Sequence, residues 1–286
     1  MDFYTVLHDN TTTVEDFSLL AKDFTTNPVD LVLEDTHYLY AGYYKPFKQL
    51  FIELATANTN TNNLNAEYFN GTSWQPLSII DESQGLVKSG FIYFEKPADW
   101  ALATVDSVEE FYIRLQPSVS HSVGTVLQGL GILLSNDLDL EGIKSNIVSK
   151  LNNGNSWVGK HEAARKYIIQ KLRNLGYRKY IPSDANNPLL TASGKSSAIY
   201  FSDLTEFDLL APFELREASK FYALSYIYLD ELSDEQDDKW ERAGRRHLKR
   251  AEEAINVFML KIDSNDNGEE DNSESPGDTG ISLSWA

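Results

Sequence analysis

Glu110-Phe-Tyr-Ile-Arg-Leu115 sets Phe111, Ile113 and Leu115 on one side of an extended backbone and Glu110, Tyr112 and Arg114 on the other. That period of two marks a half-buried strand. The same alternation recurs in LFIEL (Leu50–Leu54), NAEYF (Asn65–Phe69) and SGFIYF (Ser89–Phe94), and GTVLQGLGILL (Gly124–Leu134) supplies one more candidate strand. Turn-forming groups separate these runs: Asn70-Gly71, Asp81–Gly85 and Pro97–Asp99. Asn70-Gly71, flanked by AEYF and SWQPL, is the strongest hairpin signal. Short strands at this spacing predict an antiparallel, jelly-roll-like β-sandwich over residues 35–141, with residues 1–34 as an N-terminal arm. The runs Thr11–Thr13 and Thr56–Asn63 read as polar loops.

Past residue 141 the period changes to 3.6, and residues 142–262 read as a helical domain. SWVGKHEAARKYIIQKLRNLGY places Ala163, Ala164, Tyr167, Ile168, Leu172 and Leu175 on one face, with Gly176 at the position of a helix-ending glycine. A second helix starts near Pro212 and carries Leu215, Ala218, Tyr222, Ser225, Tyr226 and Leu229 at three- and four-residue spacing. Ser233 and Gln236 form a capping-box pair ahead of a third helix. Its stripe is Trp240, Ala243, His247, Leu248, Ala251, Ala254, Ile255 and Phe258. Residues 181–202 read as a long loop, and residues 263–286 as an acidic tail. The fold class expected is therefore α+β in two domains.

With 286 residues, 42% of them hydrophobic, the chain is long enough for two cores. It has no cysteine, which excludes disulfides, thiolate metal sites and cysteine nucleophiles and suits a reducing cytosol. No signal peptide and no membrane-spanning run is legible, so a soluble protein is expected. Charge is segregated: residues 1–141 carry net −14, residues 142–262 net +3, and residues 263–286 net −7. An acidic front half repels a nucleic-acid backbone, which argues against sequence-specific DNA binding.

Gly154–Lys160 matches G-x-x-x-x-G-K, but His161 stands where a phosphate loop needs a hydroxyl, and Gly194-Lys195-Ser196 lacks the earlier glycine. His8, His37, His121, His161 and His247 are scattered, with no helical ligand pair, and His247 reads as a packing residue. No G-x-S-x-G elbow is present. One motif is specific. Asp263–Glu274 fits D-x-[DN]-x-[DN]-G-x5-E, which nominates Asp263, Asn265, Asn267, Glu269 and Glu274 as ligands of calcium, the one cofactor the sequence admits. Glu270, where an apolar residue is usual, and Ser275-Pro276-Gly277, where a second helix would start, leave an acidic linker as the competing reading. Eight aromatics, Tyr38, Tyr40, Tyr43, Tyr44, Tyr68, Trp74, Tyr93 and Trp100, offer either a sugar-stacking platform or core anchors.

The segments Tyr40–Leu54, Glu67–Leu77, Ser89–Phe94, Asp99-Trp100 and Phe111–Leu115 resemble a β-sandwich module of tailed-bacteriophage structural proteins. The helical part, with Glu214–Leu232 followed by Trp240–Leu260 and the run Ala243-Gly-Arg-Arg-His-Leu-Lys-Arg-Ala-Glu-Glu-Ala-Ile255, resembles phage head–tail connector (adaptor, or head-completion) proteins. The likeness covers residues 35–262 in diffuse patterns rather than invariant residues. It implies a non-enzymatic virion protein, made in the host cytoplasm and placed in the neck. Such a protein forms a dodecameric ring on the portal protein, meets tail or neck proteins, and passes genomic DNA through its lumen. The residues nominated for self or portal contact are Arg242, Arg245, Arg246, Lys249 and Arg250, five cations within nine residues, and the alternating terminal segment with Ile281, Leu283 and Trp285. The alternative is a carbohydrate-binding or adhesin-like module, and a third reading is a cryptic hydrolase.

Overall fold

The alternation of Glu110–Leu115 becomes the middle of a ten-residue strand that organises the larger of two sheets. The computed structural model describes residues 4–25, 28–122, 124–174, 179–181, 200–202, 204–206, 209, 212–231 and 238–256. The strands are β1 (Thr5–Asp9), β2 (Val14–Asp16), β3 (Val29–Asp30), β4 (Tyr38–Tyr43), β5 (Gln49–Thr56) and β6 (Leu64–Phe69). They continue as β7 (Trp74–Leu77), β8 (Ile79–Asp81), β9 (Gly90–Phe94), β10 (Ala103–Val105), β11 (Val108–Pro117) and β12 (Val126–Gly131). One sheet runs β2-β1-β4-β11-β6-β7 with β10 paired to the start of β11; the other runs β3-β12-β5-β9-β8. Pairing within both sheets is antiparallel.

Register follows the pattern. Ile113 of β11 lies between Ala41 of β4 and Tyr68 of β6, and all three turn toward one apolar layer. Leu39, Tyr43 and Leu115 from the first sheet meet Leu50, Ile52, Ile92, Phe94 and Leu130 from the second there. Period two makes this layer: a one-residue slip would turn all of these side chains outward. Trp100 closes one end with its ring 5.3 Å from Phe47, and its indole N–H donates to the Tyr112 carbonyl at 3.2 Å.

Two expectations change, and the expected hairpin at Asn70-Gly71 is present. Residues 1–34 are not an arm: β1 and β2 extend the larger sheet, and Val6, Phe17, Ala21, Leu31 and Leu33 are buried in the shared layer. Val6 and Leu7 of Thr5–Asp9 bury on opposite faces, so the strand shows no simple alternation. The hairpin at Asn70-Gly71 forms as expected; Phe69 pairs with Trp74, and its loop is four residues long. The Asn70 side chain accepts from the Thr72 and Ser73 amides at 3.0 and 2.9 Å, and Gly71 takes φ +91°. The change of period falls before residue 141, because Leu134 and Leu140 already belong to the helical core.

The helices are α1 (Ser18–Ala21), α2 (Asp137–Glu141), α3 (Ile147–Leu151), α4 (Val158–Asn174), α5 (Arg216–Tyr226) and α6 (Asp238–Asn256). A 3₁₀ turn, Pro212–Leu215, leads into α5, and a wider π turn, Ile227–Glu231, extends it. The α2 start is a capping box: the Asn136 side chain accepts from the Asp139 amide at 3.2 Å while Asp139 accepts from the Asn136 amide at 2.9 Å. On α4 the buried face is His161, Ala164, Ile168, Ile169 and Leu172, a rotation from the expected stripe that leaves Ala163 exposed and Tyr167 40% exposed. Strands β13 (Lys179–Ile181) and β14 (Tyr200–Ser202) pair at the two ends of the expected long loop. Helix α6 crosses α5 closely at Gly244, where a Cβ would stand 2.6 Å from Leu229 Cγ and 3.3 Å from the Ser225 carbonyl.

The helical region lies on the outer face of the five-stranded sheet, where Phe51 and Phe91 meet Leu133, Val158 and Phe24. Gln49 donates across this seam to the Leu133 carbonyl at 2.8 Å.

Candidate assembly interface

Helix α6 has two unlike faces. Its inner face carries His247 stacked between Phe221 at 5.8 Å and Tyr228 at 5.3 Å, and Tyr228 stacks in turn on Trp240 at 5.4 Å. Cations close both ends of this column: Arg250 lies over Phe221 at 5.6 Å and Lys239 over Trp240 at 5.0 Å. Burial, with Arg250 and Arg246 behind it, pushes the His247 imidazole down to about 4. The ring is therefore a neutral packing element, as its place on the apolar stripe predicts.

The outer face gathers Arg242, Arg245, Arg246, Lys249 and Arg250, all exposed, with no carboxylate between positions 242 and 250. Arg245 reaches back to Glu241 at 2.7 Å and Lys249 forward to Glu253 at 3.7 Å. Exposed i,i+4 pairs of this kind contribute only about 0.3–0.5 kcal/mol each. These weak pairs leave the charges of Arg245 and Lys249 largely open to solvent. Lys171 of α4, 3.2 Å from Glu252, ties the helix to its neighbour.

Arg216, which sequence reading did not single out, joins the helical region to the five-stranded sheet. Its Nε donates to Asp139 Oδ1 at 2.7 Å, its Nη1 donates to Glu82 at 3.2 Å and to the Tyr93 hydroxyl at 2.9 Å, and its guanidinium lies 5.1 Å from the Phe91 ring. Asp139, Glu82 and the β9 rings Phe91 and Tyr93 lie far from Arg216 in sequence, so no local pattern announces them. Nearby, Glu53 on the outer face of β5 is only 4% exposed. Burial pushes its carboxyl up to about 7 against the hydrogen bonds of Ser156 and Ser89, with the Asp137 charge adding to the rise.

The helical core holds a serine–histidine–aspartate chain. Ser135 Oγ lies 2.8 Å from His161 Nδ1 and 2.7 Å from Ser219 Oγ, and His161 Nε2 lies 3.2 Å from Asp137 Oδ1. Asp137 also accepts from the Trp157 amide at 3.1 Å. Its residue types suit nucleophilic catalysis, but Ser135 and Ser219 are fully buried and His161 is 1% exposed. The two described clefts, near 300 and 510 Å³, are lined by other residues. The chain of hydrogen bonds acts here as a rivet among α2, α4 and α5.

The eight aromatics do not share a surface. Tyr43 and Trp100 are core, Tyr68 packs against that core, Tyr93 faces the helical seam, and Tyr44 is exposed. Tyr38, Tyr40 and Trp74 do meet on the outer face of the larger sheet. There the Arg114 guanidinium covers the faces of Tyr38 at 4.1 Å and Trp74 at 4.4 Å, while Glu67 holds it at 2.6 Å. In the phosphate-loop look-alike, Lys160 is committed to Asp230 at 3.2 Å and Glu231 at 2.9 Å, and a helix, α3, precedes it instead of a strand.

The calcium-loop residues Asp263, Asn265, Asn267, Glu269 and Glu274, the terminal Ile281, Leu283 and Trp285, and the Ser233–Gln236 cap lie outside the described residues. Among the described residues no cluster of three or more His, Asp or Glu side chains is placed to hold a metal ion, and no helix is long and apolar enough to cross a membrane. Comparison with known proteins gives no matching family model and no match among curated proteins.

Proposed function

We propose that the chain is a structural virion protein, a head–tail connector that forms a ring on the portal and joins capsid to tail. In this reading a β-sandwich domain and a helical domain form the subunit, DNA passes through the lumen, and the protein performs no catalysis. The single observation that carries it is the exposed, carboxylate-free basic stretch 242–250 on α6 in a chain of net charge −18.

Charge of opposite sign concentrated in two different parts of one molecule favours head-to-tail contact, in which unlike surfaces meet. Such heterologous contacts close into rings when the rotation permits. The Arg216 contacts bear on the same point, since a subunit must hold its two parts in fixed relation for the rotation to repeat. An acidic lumen would let DNA slide rather than adhere. The glycan-binding reading ranks second, because the ring faces it needs at Tyr38 and Trp74 are covered by Arg114. The test is negative-stain imaging of the purified protein alone and mixed with the portal protein of the same virus. Closed rings stacked coaxially on portal rings are expected. Monomers that leave the portal bare would end the proposal.

A further inference from the structure

A cleft of about 300 Å³ opens beside the outer edge of the five-stranded sheet, between β8, the end of β9 and the Pro212–Leu215 turn. That size sits at the lower end of the range for small-molecule sites. Strand β8 is the last in its sheet, and Ile80 on it is 69% exposed, while Phe213 on the facing turn is 57% exposed. One large apolar side chain in water is ordinary, but two lining the same cleft offer apolar area for a ligand to cover. The walls are preformed. Phe94 is buried with its ring edge-on to Phe47 at 5.6 Å and Trp100 at 6.0 Å, and the Gln49 amide is pinned to the Leu133 carbonyl at 2.8 Å. A ligand entering here orders little of the protein.

Polar groups on the lining select the ligand. Lys48 is half-buried, and its ammonium makes no hydrogen bond or ion pair among the described residues. The Ser78 hydroxyl, also on the lining, has no partner among them either. We propose that this cleft binds a small amphipathic carboxylate, with an apolar body about the size of one ring and its carboxylate paired to Lys48. The site is independent of the ring reading.

One cation and one hydroxyl suit a single negative charge. A phosphate brings about −1.5 to −2 charge and three acceptor oxygens, most of which would stay unmet against apolar walls. Glu95 lines the cleft as well, but it is exposed. Its repulsion is screened by a dielectric approaching that of water, about 80, whereas attraction to the half-buried Lys48 is screened by about 20. Lys48 therefore dominates, and an amine of the same shape is disfavoured.

The experiment is ligand-observed NMR titration of the full-length protein with phenylacetate and, separately, with phenethylamine, which has the same ring and the opposite charge. Saturable binding of phenylacetate is expected, with a Kd on the order of 1–10 mM for a ligand of about ten non-hydrogen atoms. Phenethylamine should bind at least about five-fold more weakly. Lys48→Met should weaken phenylacetate about five- to ten-fold, while Lys48→Arg, which keeps the charge, should stay within about two-fold of wild type. Glu95→Gln should tighten it by up to about two-fold. No saturation by phenylacetate at about ten times the expected Kd would overturn the proposal. So would equal affinity for the two probes, which means an apolar patch alone. Unchanged phenylacetate affinity in Lys48→Met would also overturn it, since binding would then lie elsewhere. The comparison of the two probes needs no variant, so it keeps the test decisive if Lys48→Met fails to fold.

Discussion

In the two-sheet region the polar run from Thr56 to Asn63 turns Asn58 and Asn62 inward, whereas in the helical region the cations of α6 turn outward. Asn58 is 1% exposed, and its side chain accepts from the Asn60 and Ser122 amides at 3.0 and 2.9 Å while donating to the Asn60 and Gly85 carbonyls at 3.0 and 3.1 Å. Asn62 does the same for the Ser118 and Val119 backbone. Asp81 braces the facing loop through the Ser83 and Gly85 amides at 2.8 Å each. These side chains finish their hydrogen bonding inside the region. On α6, Arg245 and Lys249 are balanced by weak exposed pairs one turn away. A polar group satisfied within its own fold offers little to a partner, because a partner must replace what it already has. The proposed assembly contact is therefore sought on the exposed face of α6.

Asn58→Ala tests that contrast most severely. It strands the half-buried Asn60 and Ser122 amides and the buried Gly85 carbonyl, and an orphaned buried group costs about 1–3 kcal/mol. A stability loss of about 4 kcal/mol in urea unfolding is expected, with no change in assembly beyond that due to unfolded chain. A loss below about 1 kcal/mol would mean the run is an ordinary surface loop.

The seam between the regions gives a pH-dependent effect of intermediate size. The Glu53 carboxyl has its folded pKa raised from 4.5 to about 7. The folded protein therefore holds a proton that the unfolded chain has released, and stability declines as pH rises between those values. Glu53→Gln mimics the protonated form. It should be nearly neutral at pH 4.5 and stabilise by about 2–3 kcal/mol at pH 8, read from melting temperatures at the two pH values. Equal effects at both would show that Glu53 is solvated after all.

The smallest effect is local to the two-sheet region. Val105 pairs with Val108, and the intervening Asp106 and Ser107 take φ +46° and +69°. A two-residue hairpin of this kind favours glycine at its second position. Ser107→Gly should stabilise by about 0.5–1 kcal/mol, with α6-dependent assembly unchanged. A destabilised protein would place the strain elsewhere.

Much of this architecture was legible because periodicity survives folding. Glu110–Leu115 keeps period two from sequence to sheet, and the stripe from Trp240 to Ile255 keeps 3.6 and leaves its cations outside. Tertiary partners were not legible. Asn58 looks the same in sequence whether it meets water or Gly85. Ser135 and Ser219 meet 84 residues apart, and Arg216 reaches Glu82 across 134. Strand β1 was missed because Val6 and Leu7 are buried on opposite faces, so no alternation appears. The basic face needed no partner to be seen, since five like charges within two and a half turns of helix are a local property.

The central claim is that this face drives association, and sedimentation velocity of the full chain measures it directly. Wild type should show a large, discrete species at low salt that diminishes at high salt, while R245E/R246E remains monomeric at both with unchanged circular dichroism. Identical distributions for the two proteins across both salt conditions would contradict the account.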